Sequence, residues 1–312
     1  MKPFVPALVV LNPRAHGGRG TGRFDRVRPA IEARFDAAIV VVRPDQRWRT
    51  DVRAALDRGV RRFIAAGGDG TAHALVNALV EAPARPPLDE ITLGAIGLGS
   101  SNDLHKPVRR TIEGIAVLLD DARAAPRDIV RCRYADGAAM HQASVLVSAS
   151  LGVTAEANAR FSAGSPAAQR LRRISTTAAI VAAAARTIAT WRDLPARLHI
   201  DGCDVSPVAL TALGVLKTEW LSGRLHFGRP VDPASGDFDV ALVEGRSRLQ
   251  LAGDILALVR GRFDGRPGHR RWRARAVDLW LDAPASLEMD GEVVRATEAH
   301  FTLHPERIRL CA

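Results

Sequence analysis

Along the first 120 positions, short unbroken apolar runs alternate with segments whose apolar residues recur every three or four places. The runs at 7–11, 37–42, 62–66 and 91–96 read as buried strands. The segments 23–35, 52–59 and 73–80 between them read as helices, with Gly59 closing the second. A further helix is expected over 111–121, with Ile112, Ile115, Ala116 and Leu119 on one face. Buried strands in alternation with helices predict a parallel sheet covered by helices.

The rhythm changes near residue 127. The stretches 127–134, 140–148, 196–200, 205–216, 238–243, 274–281 and 299–303 read as strands, many alternating in period two, with Ala135-Asp136-Gly137 and Asp201-Gly202 as turns. This predicts an antiparallel sandwich or barrel. The expected fold is therefore an α/β domain over 1–126 followed by an all-β domain over 127–312. An alanine-rich helix at about 167–191, carrying Leu171, Ile174, Ile180, Val181 and Ile188, is inserted in the second. The closing segment, 301–310, is expected to return toward the first domain.

Composition narrows the classes. The chain has 312 residues, room for two domains, and a net charge of +10 carried almost wholly by arginine. A basic surface suits anionic lipid head groups or acidic substrates. Nucleic acid is not expected as a partner, because one Tyr, nine Phe and five Trp provide no stacking platform. Cys132, Cys203 and Cys311 are odd in number and far apart, so neither a zinc site nor a disulfide framework is expected, which fits a cytoplasmic protein. The apolar run at 5–11 reads as the first strand and not as a signal peptide. No uncharged apolar stretch reaches the roughly 18 residues a spanning helix needs.

Three strands run into glycine-bearing loops. The first is Asn12-Pro13-Arg14-Ala15-His16-Gly17-Gly18-Arg19-Gly20, the second Gly67-Gly68-Asp69-Gly70-Thr71, and the third Gly97-Leu98-Gly99-Ser100-Ser101-Asn102-Asp103. Glycine lets backbone N–H groups approach an anion, and a following helix N-terminus adds partial positive charge. Loops at the carboxyl ends of neighbouring parallel strands converge on one crevice. A carboxylate in such a loop, Asp69, makes sense facing a metal ion or a hydroxyl. The P-loop, dinucleotide and protein-kinase signatures are all absent. His16, His73 and His105 lack metal spacing and are expected to face solvent. Asn77 reads as a side chain bonding the second loop.

Asn12-Pro13, the Gly67–Thr71 run with Asn77, and Gly99-Ser100-Ser101-Asn102-Asp103 resemble the nucleotide-site motifs of the diacylglycerol kinase catalytic-domain family. That family includes bacterial soluble lipid kinases and sphingosine and ceramide kinases, and is related to NAD kinases and 6-phosphofructokinases. Segments 214–217, 223–230, 236–243 and Asp290-Gly291-Glu292 resemble its C-terminal β-domain, so the resemblance covers nearly the whole chain. It implies an ATP- and Mg²⁺-dependent lipid kinase acting on diacylglycerol, a sphingoid base or a related lipid, peripheral at an anionic membrane surface. Nucleotide and metal are expected between the domains. Asn12, Pro13, Arg14, Gly67, Gly68, Gly70, Thr71, Gly99, Ser100, Ser101 and Asn102 would surround the nucleotide. Asp69 would hold Mg²⁺ or orient the hydroxyl, and Asp290 or Glu292 would take the hydroxyl proton.

The chain departs from the family pattern at several places. Some relatives hold a structural Mg²⁺ in the segment matching 234–239. Ser235 stands here where the aspartate would be, which leaves Asp232 and Asp237 as the remaining carboxylates. Ala74 replaces a usual carboxylate, and Val42-Arg43-Pro44 lacks a threonine that often borders the adenine pocket. An NAD kinase-like or small-polyol kinase, and a catalytically silent lipid- or nucleotide-binding regulator, stay open as alternatives. Oligomeric state, lipid identity and nucleotide preference are not readable from the residues.

Overall fold

The computed structural model describes residues 5–137, 139–163 and 176–312. The chain divides into two compact units, one holding the residues up to Ile129 together with Pro305–Ala312, the other spanning Val130–His304.

The first unit is the parallel α/β body that the alternation of runs predicts. Its elements are β1 (Val5–Leu11), a single turn α1 (Ala15–Gly18), α2 (Gly20–Glu32), β2 (Phe35–Val41), α3 (Trp48–Asp57), β3 (Arg62–Gly67), α4 (Asp69–Val80), β4 (Thr92–Gly97), β5 (Thr111–Ile112), β6 (Ile115–Leu118) and β7 (Ala125–Arg127). The sheet runs β2-β1-β3-β4, then the last strand Ile308–Leu310, then β7. Every residue from Ala7 to Leu11 is buried, as a strand covered on both faces must be. One face packs Val9, Leu11, Ile64, Ala66 and Ile96 against Phe24, Val27 and Ile31 of α2. Because β2 lies on one side of β1 and β3 on the other, the chain reverses direction at β1. The crevice outside the carboxyl ends of β1 and β3 is where open sheets of this kind bind ligands.

The helix expected over 111–121 is instead a hairpin of β5 and β6. Glu113 and Gly114 both take positive φ (51° and 70°), a two-residue turn that pairs Ile112 with Ile115. Ile115, Val117 and Leu119 are buried, in period two, so the spacing that resembled one helical face belongs to a strand. The last strand runs parallel to β4, with Leu310 opposite Leu93, and antiparallel to β7. Ion pairs fasten the tail: Arg85 with Glu306 at 2.6 Å and Arg307 with Asp128 at 2.7 Å.

The second unit is antiparallel. Its strands are β8 (Val130–Asp136), β9 (Ala139–Val145), β10 (Ser148–Gly152), β11 (Leu194–Ile200), β12 (Cys203–Asp204), β13 (Val208–Leu216), β14 (Trp220–Leu221), β15 (Leu225–His226), β16 (Phe238–Glu244), β17 (His269–Ala274), β18 (Ala276–Met289) and β19 (Glu292–Leu303). Ten of them form one sheet, and β14 and β15 pair separately. Leu151, Leu198, Leu213, Val240, Leu279, Leu287 and Phe301 are among the residues of its main core. Among the described residues three helices accompany the sheet: α5 (Val153–Ala163), α6 (Thr176–Thr190) and α7 (Arg248–Val259). The predicted helix at 167–191 is seen as α6. Its expected beginning, with Leu171 and Ile174, lies outside the described residues. Among the described residues no helix is long and apolar enough to cross a membrane.

Candidate functional site

The three glycine loops leave neighbouring strands β1, β3 and β4 side by side, and backbone contacts interlock them. Asn12 N–H donates to the Ala66 carbonyl at 2.9 Å, and Leu98 N–H to the Gly67 carbonyl at 2.8 Å. A Cβ on Gly99 would stand 2.5 Å from Gly68 Cα, and one on Gly67 2.1 Å from Thr71 Oγ1, so both positions require glycine. Asn12 Nδ2 donates to Thr71 Oγ1 at 3.1 Å, and Asn12 Oδ1 accepts from Arg14 N–H at 3.0 Å. Asn102, in the left-handed region at φ 52°, clamps the third loop. Its Oδ1 accepts from Gly99 N–H at 3.0 Å, and its Nδ2 donates to the carbonyls of Gly97 and Gly99.

Asp69 opens α4 and ties the second loop to the third. One carboxylate oxygen accepts from Asp103 N–H at 2.9 Å and the other from Leu104 N–H at 3.0 Å. A carboxylate has about four lone-pair sites, so hydrogen bonds from the backbone do not by themselves exclude a cation. Mg²⁺ is typically held by one or two carboxylates, several waters and substrate phosphates, and needs no all-protein cage. Among the described residues no group of three His, Cys, Asp or Glu could hold a metal, and Asp69 at a helix N-terminus fits the sparser arrangement. Arg14, Arg19 and Ser100 are exposed around these loops, with Pro13, Gly70 and Ser101 partly buried.

The histidines differ from the solvent-facing expectation. His73 and His105 are buried at 8% and 6% exposure, because α4 and the turn Asp103–His105 pack their inner faces on the sheet. Burial pushes the His105 imidazole down to about 4, against a smaller opposing pull from the Ala95 carbonyl. His16 is half-buried, and burial followed by the charges of Arg23 and Arg19 lowers it too. Asn77 Nδ2 donates to the His73 carbonyl within α4, a structural bond.

In the second unit Asp290 and Gly291 form the two-residue turn joining β18 to β19, with φ of 49° and 95°. The Asp290 side chain is buried at 3% exposure. One oxygen accepts from Leu146 N–H at 2.8 Å, the other from Val147 at 2.8 Å and Ser148 at 3.0 Å. Asp290 thus holds the bend between β9 and β10 to the hairpin. Glu292, two residues on, is exposed. Sequence reasoning passed over Glu288, buried at 4%, which accepts from Ser150 Oγ at 2.9 Å and Gly291 N–H at 2.5 Å. Its only signal was a carboxylate inside a strand, between Leu287 and Met289.

The segment carrying Asp232 and Asp237 surrounds an ammonium. Lys217, 1% exposed, donates to the carbonyls of Asp232 at 3.1 Å and Asp237 at 2.5 Å and lies 3.4 Å from Ser235 Oγ. Burial raises the Asp237 carboxyl, but the Ser235 hydroxyl and Arg273 outweigh it and hold the group below the usual range. A fixed positive charge therefore already meets these oxygens.

The second unit also contains a cavity of about 150 Å³, lined mainly by aliphatic and aromatic groups including Phe161, Ile188, Val243, Leu251, Leu258 and Phe263. A concave, mainly apolar site of this kind suits a hydrocarbon chain. At its margin Asp254 is bound by Arg246 at 2.9 Å and Arg266 at 2.9 Å. Burial raises its carboxyl, but the Arg246 hydrogen bonds and the His269 and Arg246 charges hold it below the usual range.

Comparison with known proteins covers almost the whole chain. Residues 6–132 match the diacylglycerol kinase catalytic domain, and residues 147–312 the YegS C-terminal NAD kinase beta sandwich-like domain. A curated diacylglycerol kinase of Staphylococcus carnosus (strain TM300) is 28% identical over 124 residues. The match spans 36% of this chain and 39% of that protein. The crystal structure of a diacylglycerol kinase from Bacillus anthracis str. Sterne superposes with a TM-score of 0.65 at 17% identity, covering 100% of this chain and 98% of that one. Yeast NADH kinase complexed with NADH gives 0.51 at 10% identity, covering 100% and 84%. These structural likenesses establish the fold.

Proposed function

The chain belongs to the diacylglycerol kinase catalytic-domain family, and on that premise we propose that it transfers the γ-phosphoryl group of ATP to a hydroxyl of a lipid, either a diacylglycerol, a sphingoid base or a related molecule. The observation that carries the lipid reading is the 150 Å³ apolar cavity of the second unit. A small polyol or a nucleotide acceptor would need polar groups on such walls, whereas an acyl or alkyl chain buries apolar area favourably there.

The interlocked glycine loops and the N-terminus of α4 offer backbone donors to phosphate oxygens. Asn12, Gly67, Gly68, Gly70 and Thr71 face the phosphates. Gly99, Ser100, Ser101 and Asn102 form the opposite wall, with Pro13 and Arg14 beside them. Asp69 would hold Mg²⁺, which would spread the charge of the transferring group. Phosphoryl transfer asks the protein chiefly for positioning, electrostatic stabilisation and an acceptor for the hydroxyl proton. Glu292 suits that last task, being exposed beside the turn, whereas Asp290 is buried at 3% exposure under three backbone donors. The protein works at the surface of an anionic membrane, in keeping with its net charge of +10.

The test is transfer of labelled γ-phosphate from ATP and Mg²⁺ to lipids in mixed micelles, with NAD and small polyols alongside. Label is expected in a lipid, and Glu292→Gln is expected to lower turnover by about 10²- to 10⁴-fold with an unchanged melting temperature. Label confined to a soluble acceptor, or no label at all, overturns the proposal.

A further inference from the structure

Helix α7 is apolar on both sides, which a helix at the edge of a soluble body is not expected to be. Its inner face is accounted for: Leu251 and Leu258 are buried, and with Ile255 they line the apolar cavity. Its outer face is not. Leu249 is 87% exposed, Leu256 46% and Val259 52%, with Ala252 exposed between them. These four positions, spaced three, four and three apart, make one continuous stripe along the helix. The stripe is no accident of fraying, because a capping box of Ser247 and Gln250 fixes the start of the helix.

Along residues 248–262 the exposed charges have one sign. Arg248, Arg260 and Arg262 are exposed beside it. The single carboxylate between residues 248 and 262 is Asp254, which is buried and held by Arg246 and Arg266. Beyond each end, Glu244 is paired with Arg270 and Asp264 with Arg271. An apolar ridge rimmed by arginines is complementary to hydrocarbon beneath anionic head groups. It is not complementary to a second copy of itself, which would bring arginines against arginines.

We propose that the outer face of α7 docks the protein on an anionic lipid bilayer, with Leu249, Leu256 and Val259 in the acyl boundary and the arginines at head-group level. This deepens the lipid-kinase reading and rests on it only for its purpose. With the bilayer on one side of α7 and the cavity on the other, an acyl chain passes between them across one helix, about 10 Å, without entering water.

The experiment is co-sedimentation of the full chain with phosphatidylcholine vesicles, with and without phosphatidylglycerol, which needs no catalysis. Binding is expected only when the anionic lipid is present, and to weaken as salt rises. Leu249→Glu with Leu256→Glu is expected to weaken it about 100-fold. Arg248→Gln with Arg260→Gln should weaken it roughly 10- to 30-fold. The milder Leu249→Ser, at a site already in water, guards against misfolding, and melting curves should be unchanged throughout. Turnover of a monodisperse short-chain lipid should be equal in wild type and variants. Absence of that turnover in all of them sinks the kinase reading and leaves the docking result standing. Wild-type protein that ignores anionic vesicles, or variants that bind as well as wild type, overturn the docking proposal. So does a wild-type dimer that Leu249→Glu dissolves in sedimentation velocity, since the face would then belong to a second copy.

Discussion

Replacing Asp290 by Asn should damage stability far more than chemistry. The change is isosteric, and Asn tolerates the left-handed φ of 49°, so the backbone of the turn need not move. What changes is the acceptor count. The carboxylate takes three backbone N–H groups, from Leu146, Val147 and Ser148, at 2.8 to 3.0 Å. An amide can keep the two on one oxygen, as neutral bonds, and must turn an NH₂ donor toward the third N–H. Hydrogen bonds to a charged group are worth roughly 1.5–3 kcal/mol each against about 1 for neutral ones, and an orphaned buried N–H costs about 1–3. Relief of the buried charge returns part of this. The net loss is roughly 2–4 kcal/mol, a fall of about 5–15 °C in the melting of a body of this size. Calorimetry of the variant beside wild type measures the fall, and turnover well below the transition should stay within about threefold. Melting within about 1 °C of wild type would refute the reasoning. A turnover loss of about 10²-fold or more with unchanged melting would make Asp290 the proton acceptor.

Two further outcomes follow from the first unit. Gly99→Ala places a Cβ 2.5 Å from Gly68 Cα, so the loops must part, with a stability loss of about 1–3 kcal/mol. ATP affinity by calorimetric titration should drop about tenfold, and unchanged affinity would show the loops do not act as one cradle. His105, whose imidazole is pushed down to about 4 by burial, makes stability depend on pH. Its unfolded counterpart takes up a proton near pH 6.5 and the folded one only near 4. Lowering the pH between those values therefore favours unfolding, by about 3 kcal/mol in all, and the loss levels off below about pH 4. In His105→Leu, denaturant titrations from pH 7 to 4 should show a shallower decline, and an identical slope would remove His105 as the cause.

Much of the first unit was legible because buried parallel strands write themselves as unbroken apolar runs, and the three loops follow them directly. The hairpin at 111–118 was misread because Ile112 and Ile115 satisfy a helical spacing while Ile115, Val117 and Leu119 satisfy a strand's. Only the positive φ at Glu113 and Gly114 separates the two. Helix α7 escaped notice for the opposite reason, since apolar residues on both sides erase the period that marks a helix. The roles of Asp290, Glu288 and Lys217 were illegible, because each meets partners distant in sequence: Leu146 to Ser148, Ser150, and the carbonyls of Asp232 and Asp237. Sequence shows which groups carry charge, and only the fold shows which of those charges are already occupied.

The last strand, Ile308–Leu310, lies between β4 and β7 in the sheet of the first unit, although the second unit separates it from both in the chain. During synthesis, β4 must wait for that neighbour while the whole second unit is made. At about 5–20 residues per second the wait is roughly 10–40 seconds. Through that interval Thr92 and Leu93 stand as an exposed strand edge, lacking their eventual partners Arg309 and Leu310, while Ala95 and Ile96 of the same strand pair with β6. The first unit is thus begun before the second and completed only after it.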